Sequence, residues 1–139
     1  MSKETLISYL NKQLHSEYQA MHTYMYHAAT LQNEELAAAL REFCREEQNH
    51  AIMLMDLIEH MGGVPEASCE VNVDQEDDIL SSLVMSIAEE DSAVQMYTMI
   101  RDLMETPAQR TIIESTIAEE KRHHAVLQDL LAKAKKQMF

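Results

Sequence analysis

At 139 residues the chain fits a single domain, residues 1–139, large enough to bury roughly two-thirds of its unfolded surface without cross-links. A formal charge of −13 and a pI near 4.8 argue against nucleic acid or an anionic membrane as partner, since both need a basic surface, and make cations the natural guests. Two Gly, two Pro, no Trp and abundant straight-chain residues, which lose little freedom in helices, predict an all-α fold.

The opening Met1-Ser2-Lys3-Glu4 is not followed by an apolar run that would make a signal peptide or a membrane span. With only Cys44 and Cys69 present, a reducing cytoplasm is the expected location.

Ser2 is placed to cap a first helix with the apolar stripe Leu6, Leu10, Leu14, Met21, Tyr24, Ala28 and Leu31, at spacings of three and four. Glu17 falls inside this stripe, where a charge without compensation is costly. Asn33 followed by Glu34 and Glu35 reads as an N-cap and acidic first turn, so a second helix opens after a short turn and packs antiparallel to the first. Its seam, Leu36, Leu40, Phe43, Glu47, His50, Leu54, Leu57 and Met61, alternates steps of four and three and makes Glu47 and His50 interior positions. Gly62-Gly63 and then Pro65 stop the helix.

An acidic connector, Val64 to Asp77, carries Glu66, Glu70, Asp74, Glu76 and Asp77. It reads as a solvated loop, and fully extended it reaches roughly 45 Å, enough for one long crossover. A third helix is expected to start near Asp74, with the stripe Leu80, Leu83, Ile87, Glu90, Val94, Tyr97 and Met104. Glu89 competes with Glu90, but its stripe would contain Ser82 and Ser86, so Glu90 is preferred. Thr106-Pro107-Ala108-Gln109 combines an N-cap, a proline at the first helical position and a capping-box glutamine. The fourth helix has the seam Ile113, Thr116, Glu120, His123, Leu127, Leu130 and Ala134.

Glu47 with His50, and Glu120 with His123, each set a carboxylate and an imidazole one helical turn apart on one face, a ligand pair for iron, manganese or zinc. One such pair by chance is about what this composition allows, so context decides. Shifting the first half by 73 residues superposes Glu17 on Glu90, Ala20 on Ala93, Tyr24 on Tyr97, Glu47 on Glu120 and His50 on His123. Each half is then a helical hairpin that offers one Glu from its first helix and a Glu-x-x-His from its second. Four carboxylates and two imidazoles in a core are balanced most simply by two divalent ions.

The chain resembles the ferritin-like proteins of the rubrerythrin and bacterioferritin group over nearly its whole length. The resemblance rests on Glu17 with Tyr24, Glu47-Gln48-Asn49-His50-Ala51, Met61-Gly62-Gly63-Val64-Pro65, Glu90, and Glu120-Lys121-Arg122-His123. It implies a ferritin-like four-helix bundle of two antiparallel hairpins joined by a long crossover, holding two iron ions, with manganese as the alternative metal. By the same resemblance Glu47 and Glu120 bridge the metals, Glu17 and Glu90 are terminal carboxylates, and His50 and His123 each hold one metal. The expected chemistry is oxidation of Fe(II) by O2 or hydrogen peroxide, as a ferroxidase or a peroxide or oxygen reductase fed by an electron-donor protein. A dimanganese catalase and a non-catalytic iron carrier are the rivals.

Two departures narrow the carry-over. Rubrerythrins have a further glutamate where this chain has Ala93, and usually a four-cysteine domain. Bacterioferritins hold haem through a methionine where this chain has Gln48, so no haem is expected.

Tyr24 and Tyr97 lie two turns beyond Glu17 and Glu90, where they can support the ligands or pack as ordinary core residues. His27 is roughly 15 Å along the axis from Glu17 and reads as a structural histidine, as do His15, His22, His60 and His124. Cys44 and the eleven methionines read as packing, and a homodimer burying the remaining apolar helix surface is the expected assembly.

Overall fold

A computed structural model describes residues 1–75 and 78–137. Among them are four α-helices and no strand: α1 (Lys3–Thr30), α2 (Glu34–His60), α3 (Ile79–Leu103) and α4 (Pro107–Gln137). The chain divides into two compact units, Met1–Val73 and Asp74–Phe139, and each is a hairpin of two helices.

In the first hairpin the predicted caps are in place. The Ser2 side chain accepts from Thr5 N at 3.1 Å, and Asn33 Oδ1 accepts from Leu36 N at 2.9 Å, each satisfying a donor that a helix start leaves over. Tyr24 meets Phe43 edge-on, with ring centroids 5.7 Å apart, and the Cys44 thiol donates to Met21 O at 3.4 Å. Near the hairpin's open end Ile7 meets Gly63, so contacts pair early α1 with late α2 and the helices are antiparallel. Leu10, Leu14, Leu36, Leu40, Phe43, Leu54 and Ile58 are essentially inaccessible.

α2 ends in a Schellman turn. Gly63 N donates to Ile58 O and Gly62 N to Glu59 O, both at 2.9 Å, while Gly62 takes φ +82°, a conformation that costs glycine nothing. Gly63 is required for a different reason: a Cβ there would lie 2.9 Å from Ile7 Cγ2 and 3.1 Å from Ile58 Cγ2.

The connector is not a free loop over the part described. Asn11 brackets it with both ends of its amide, donating to Val64 O at 3.2 Å and accepting from Glu66 N at 2.9 Å. Gln19 does the same at Asn72, donating to its O at 2.7 Å and accepting from its N at 2.9 Å. Between them Tyr18 donates to Glu66 O, and the Glu66 carboxylate pairs with His15 Nε2 at 2.7 Å. The chain thus leaves α2 and runs back along α1. Glu76 and Asp77 lie outside the described residues.

The second hairpin corrects two expectations for α3. The helix begins at Ile79, not near Asp74, because Asp78 supplies the cap through its carboxylate, which accepts from Ser81 N at 2.8 Å. Its buried residues are Ser82, Leu83, Ser86, Glu90, Ala93, Tyr97 and Ile100. Leu80 is exposed, and Ile87 and Val94 are only half-buried. Apolar residues also lie on the solvent side of the helix, with Val84 and Met85 more than half exposed at 53% and 56%, so the apolar pattern does not locate the inner face. Small serines take interior positions where the stripe predicted large aliphatics.

α4 opens on the predicted capping box, Thr106 N donating to Gln109 Oε1 at 3.2 Å and Gln109 N to Thr106 Oγ1 at 3.1 Å. Every residue of its predicted seam, from Ile113 to Ala134, is buried.

The turn after α2 gives a stability test. Gly62→Ala is expected to cost about 1 kcal/mol through its positive φ, and Gly63→Ala about 1–3 kcal/mol through overpacking against Ile7 and Ile58. Urea unfolding followed by circular dichroism checks both, the midpoint falling while the slope stays unchanged.

Candidate functional site

In the first hairpin α1 delivers Glu17 and α2 delivers Glu47 and His50, with exposures of 1%, 1% and 3%. All three stand on the buried faces because they occupy the seam positions that leucine and phenylalanine fill one turn above and below. His50 Nδ1 is 3.7 Å from both Glu17 Oε2 and Glu47 Oε1.

The second hairpin repeats the arrangement. Glu90 comes from α3, Glu120 and His123 from α4, again all buried. His123 Nδ1 is 3.4 Å from both Glu90 Oε1 and Glu120 Oε1. Glu89, the competing residue, is exposed.

Within each triad one donor atom per residue lies within 4.8 Å of the other two. Two ligands about 2.1 Å from one ion stand roughly 3.0 Å apart at right angles and roughly 3.4 Å apart at the tetrahedral angle. The observed 3.4–3.7 Å separations are wider than an ordinary hydrogen bond and within a few tenths of an ångström of that spacing. Two carboxylate oxygens and an imidazole nitrogen are also a donor set that suits iron, manganese or zinc. Each triad therefore fits one divalent cation.

His123 shows what the triad does to charge in the absence of metal. Burial alone would lower its pKa, but Glu120 and Glu90 outweigh it and hold the ring protonated up to about 10.

Other sequence candidates fall elsewhere. Tyr24 and Tyr97 are buried at matching positions, and Tyr24 packs on Phe43. His27 is buried with its ring edge-on to Tyr26, His15 is tied to Glu66, and His22 Nδ1 is bonded to Tyr18 O at 2.8 Å. Cys44 and Cys69 are half-buried, and burial pushes both thiols up, with Glu66 adding to the effect at Cys69. Both are thus poor nucleophiles.

One residue escaped the sequence analysis. Gln13, 3% exposed, donates from Nε2 to Glu17 Oε1 at 3.1 Å. Its spacing of four from Glu17 on the same helical face was the signal available.

The raised His123 pKa carries a pH dependence. With an unfolded value near 6.5 and a folded value of about 10, its contribution to stability is complete below about pH 6.5 and declines until pH passes 10. The metal-free protein should lose melting temperature from pH 7 to pH 10. His123→Asn should flatten that slope, as read by thermal unfolding in the presence of a chelator.

Comparison with known proteins gives the family and the fold. No curated protein matches the chain. Among solved structures, a ferritin-like diiron-carboxylate protein from Bacillus anthracis str. Ames is 27% identical, with TM-score 0.84 over 94% of this chain and 99% of that one. A bacterioferritin from Desulfovibrio desulfuricans shares the fold at 24% identity and TM-score 0.84, over 96% of this chain and 82% of that one. So does a dodecameric thioferritin from Bacteroides fragilis, at 24% identity and TM-score 0.85 over 99% and 90%. The family model for the ferritin-like domain matches residues 7–137, and the chain belongs to the ferritin family, with the ferritin-like four-helix fold.

Proposed function

We propose that the two triads act together as one dimetal centre of four glutamates and two histidines, and that the protein is a di-iron oxidoreductase. Glu47 and Glu120 would bridge, Glu17 and Glu90 would be terminal, and His50 and His123 would each hold one ion. The observation that carries this reading is the doubled buried triad, Glu17/Glu47/His50 and Glu90/Glu120/His123, in a chain of the ferritin family. The structure of the Bacillus anthracis relative is described as that of a diiron-carboxylate protein, which favours iron over manganese.

When bound, the iron pair supplies the redox change that reduces O2 or hydrogen peroxide. The chain's own residues prepare for it. Four carboxylates carry four negative charges, which two divalent cations balance. Burial of every ligand keeps bulk water from the donors and strengthens each electrostatic contact. His123, protonated when free of metal, has to release its proton before Nδ1 can bind an ion, so loading is linked to pH.

Among the described residues no helix is long and apolar enough to cross a membrane, and we propose a cytoplasmic location and an electron-donor protein as partner. Assembly from copies of the chain, as a homodimer at least, is in line with the dodecamer formed by the Bacteroides fragilis relative.

Glu47→Ala and Glu120→Ala should each reduce Fe(II) binding below two per chain while far-ultraviolet circular dichroism stays helical. Two ions retained in both variants would sink the assignment. Saturating metal should also raise the melting temperature of the wild type, because it binds the native state alone.

The activity is tested by anaerobic Fe(II) titration of the apoprotein, then stopped-flow mixing with O2 or with peroxide while the near-ultraviolet ferric absorbance is followed. Two irons oxidised quickly support the oxidoreductase and show its oxidant. Two irons inert to both oxidants favour a carrier or a manganese enzyme.

A further inference from the structure

α4 has opposite chemistry on its two sides. Glu120 and His123 face inward, at 1% and 0% exposure, while the two residues between them, Lys121 and Arg122, are exposed, as the turn of a helix requires. Cations continue along the solvent side, with Lys135 and Lys136 exposed and Lys133 half-buried beside Asp129, 3.5 Å away. Over residues 119–136, with the buried Glu120 set aside, five Lys/Arg stand against Glu119 and Asp129, a net charge of +3 in a chain of −13.

The end of the helix does not account for this. Lys133, Lys135 and Lys136 suit the negative pole of the helix dipole, whose reach is the last turn, but Lys121 and Arg122 lie in the middle of Pro107–Gln137. The repeat does not account for it either. Residues 46–63, the segment matched by the 73-residue shift, contain no Lys or Arg and, with the buried Glu47 set aside, the acids Glu46, Asp56 and Glu59, a net charge of −3. Gln48 and Asn49, which stand where α4 has Lys121 and Arg122, are also exposed. The two hairpins thus have opposite charge behind the same buried residues.

We propose, building on the di-iron reading above, that the solvent side of α4 from Lys121 to Lys136 is the docking surface for the electron donor, and that the donor is a small acidic one-electron carrier. An acidic protein is repelled by most of a chain of charge −13 and attracted to this face, which speeds the encounter and fixes where it happens. The face also gives a short path. α4 is one helix thick, about 10–12 Å with side chains, and its inner side holds two of the residues that would ligate iron. Each carrier gives up one electron, so two encounters return two ferric ions to the ferrous state, and no bond is made or broken in the transfer.

The test measures binding by calorimetry at low ionic strength, with the metal-free full-length protein and an oxidised acidic plant-type [2Fe–2S] ferredoxin as probe. Wild type should bind it with an affinity that falls as salt is added. Lys121→Glu/Lys135→Glu/Lys136→Glu should weaken binding by about tenfold or more. Lys3→Glu/Lys12→Glu/Arg41→Glu, which brings the chain to the same net charge through exposed residues of the first hairpin, should change it by less than about threefold. In the iron-loaded, oxidised protein the α4 variant should also slow reduction by subsaturating reduced ferredoxin about tenfold, read as loss of ferric absorbance.

No binding by the wild type, or equal weakening by the two triple variants, would overturn the proposal. So would an α4 variant that turns a wild-type oligomer into monomers in sedimentation, because a second copy then occupies the face, and so would tighter binding of a short DNA duplex than of ferredoxin. Should the α4 variant fail to fold, Lys121→Gln/Arg122→Gln decides: an affinity equal to that of wild type overturns the proposal. Failure of the di-iron reading shows separately, as fewer than two Fe(II) per chain in the anaerobic titration, and would overturn the electron-transfer role whatever the ferredoxin does.

Discussion

The constraint on which this molecule depends is the cost of holding carboxylates inside a helical hairpin. Glu17, Glu47, Glu90 and Glu120 are each no more than 3% exposed, in a medium where ionised groups are expensive unless opposite charge stands beside them. The imidazole of His123 supplies part of that charge, held protonated to about pH 10 by its two carboxylate neighbours. Leucines and phenylalanine above and below seal the polar layer. The folded chain therefore stores an electrostatic preference for a cation in the middle of an otherwise apolar seam.

How much of this could be read in the sequence depends on the contrast within each helix. α2 and α4 have apolar seams set against charged outer faces, and every seam residue from Leu36 to Leu57 and from Ile113 to Ala134 is buried. The interior positions of Glu47, His50, Glu120 and His123 followed directly. α3 lacks that contrast, and its inner face runs through Ser82 and Ser86, the two residues that argued against Glu89 on the assumption that serines face water. The preferred Glu90 is the buried residue, but not for the reason given by the stripe. The repeat, which pairs Glu90 with Glu17, requires no knowledge of the face.

Periodicity was blind to the bonds that polar side chains make with neighbouring chain. Asn11, Gln13 and Gln19 sit on α1 among charged and polar residues and carry no apolar signal. Each nonetheless has a defined partner: backbone of the connector for Asn11 and Gln19, the buried Glu17 carboxylate for Gln13. Amide side chains both donate and accept, so they bracket a peptide group or steer a carboxylate equally well, and spacing alone does not say which. The Glu and His residues proposed to bind ions were legible because their chemistry is rare in a core, whereas the side chains bonded around them use the commonest polar groups.

The strap from Val64 to Asn72 breaks the likeness of the two hairpins. The 73-residue shift that matches the ligands carries Asn11 to Val84 and Gln19 to Ser92, so the second hairpin lacks the amides with which the first grips its own tail. Val84 is 53% exposed and Ser92 also faces solvent. The buried Glu and His residues of the two hairpins match, whereas extended backbone runs along α1 in the first and the corresponding positions of α3 face solvent in the second. The two hairpins thus share their buried chemistry and differ in their surfaces, so a docking molecule can tell one half from its copy.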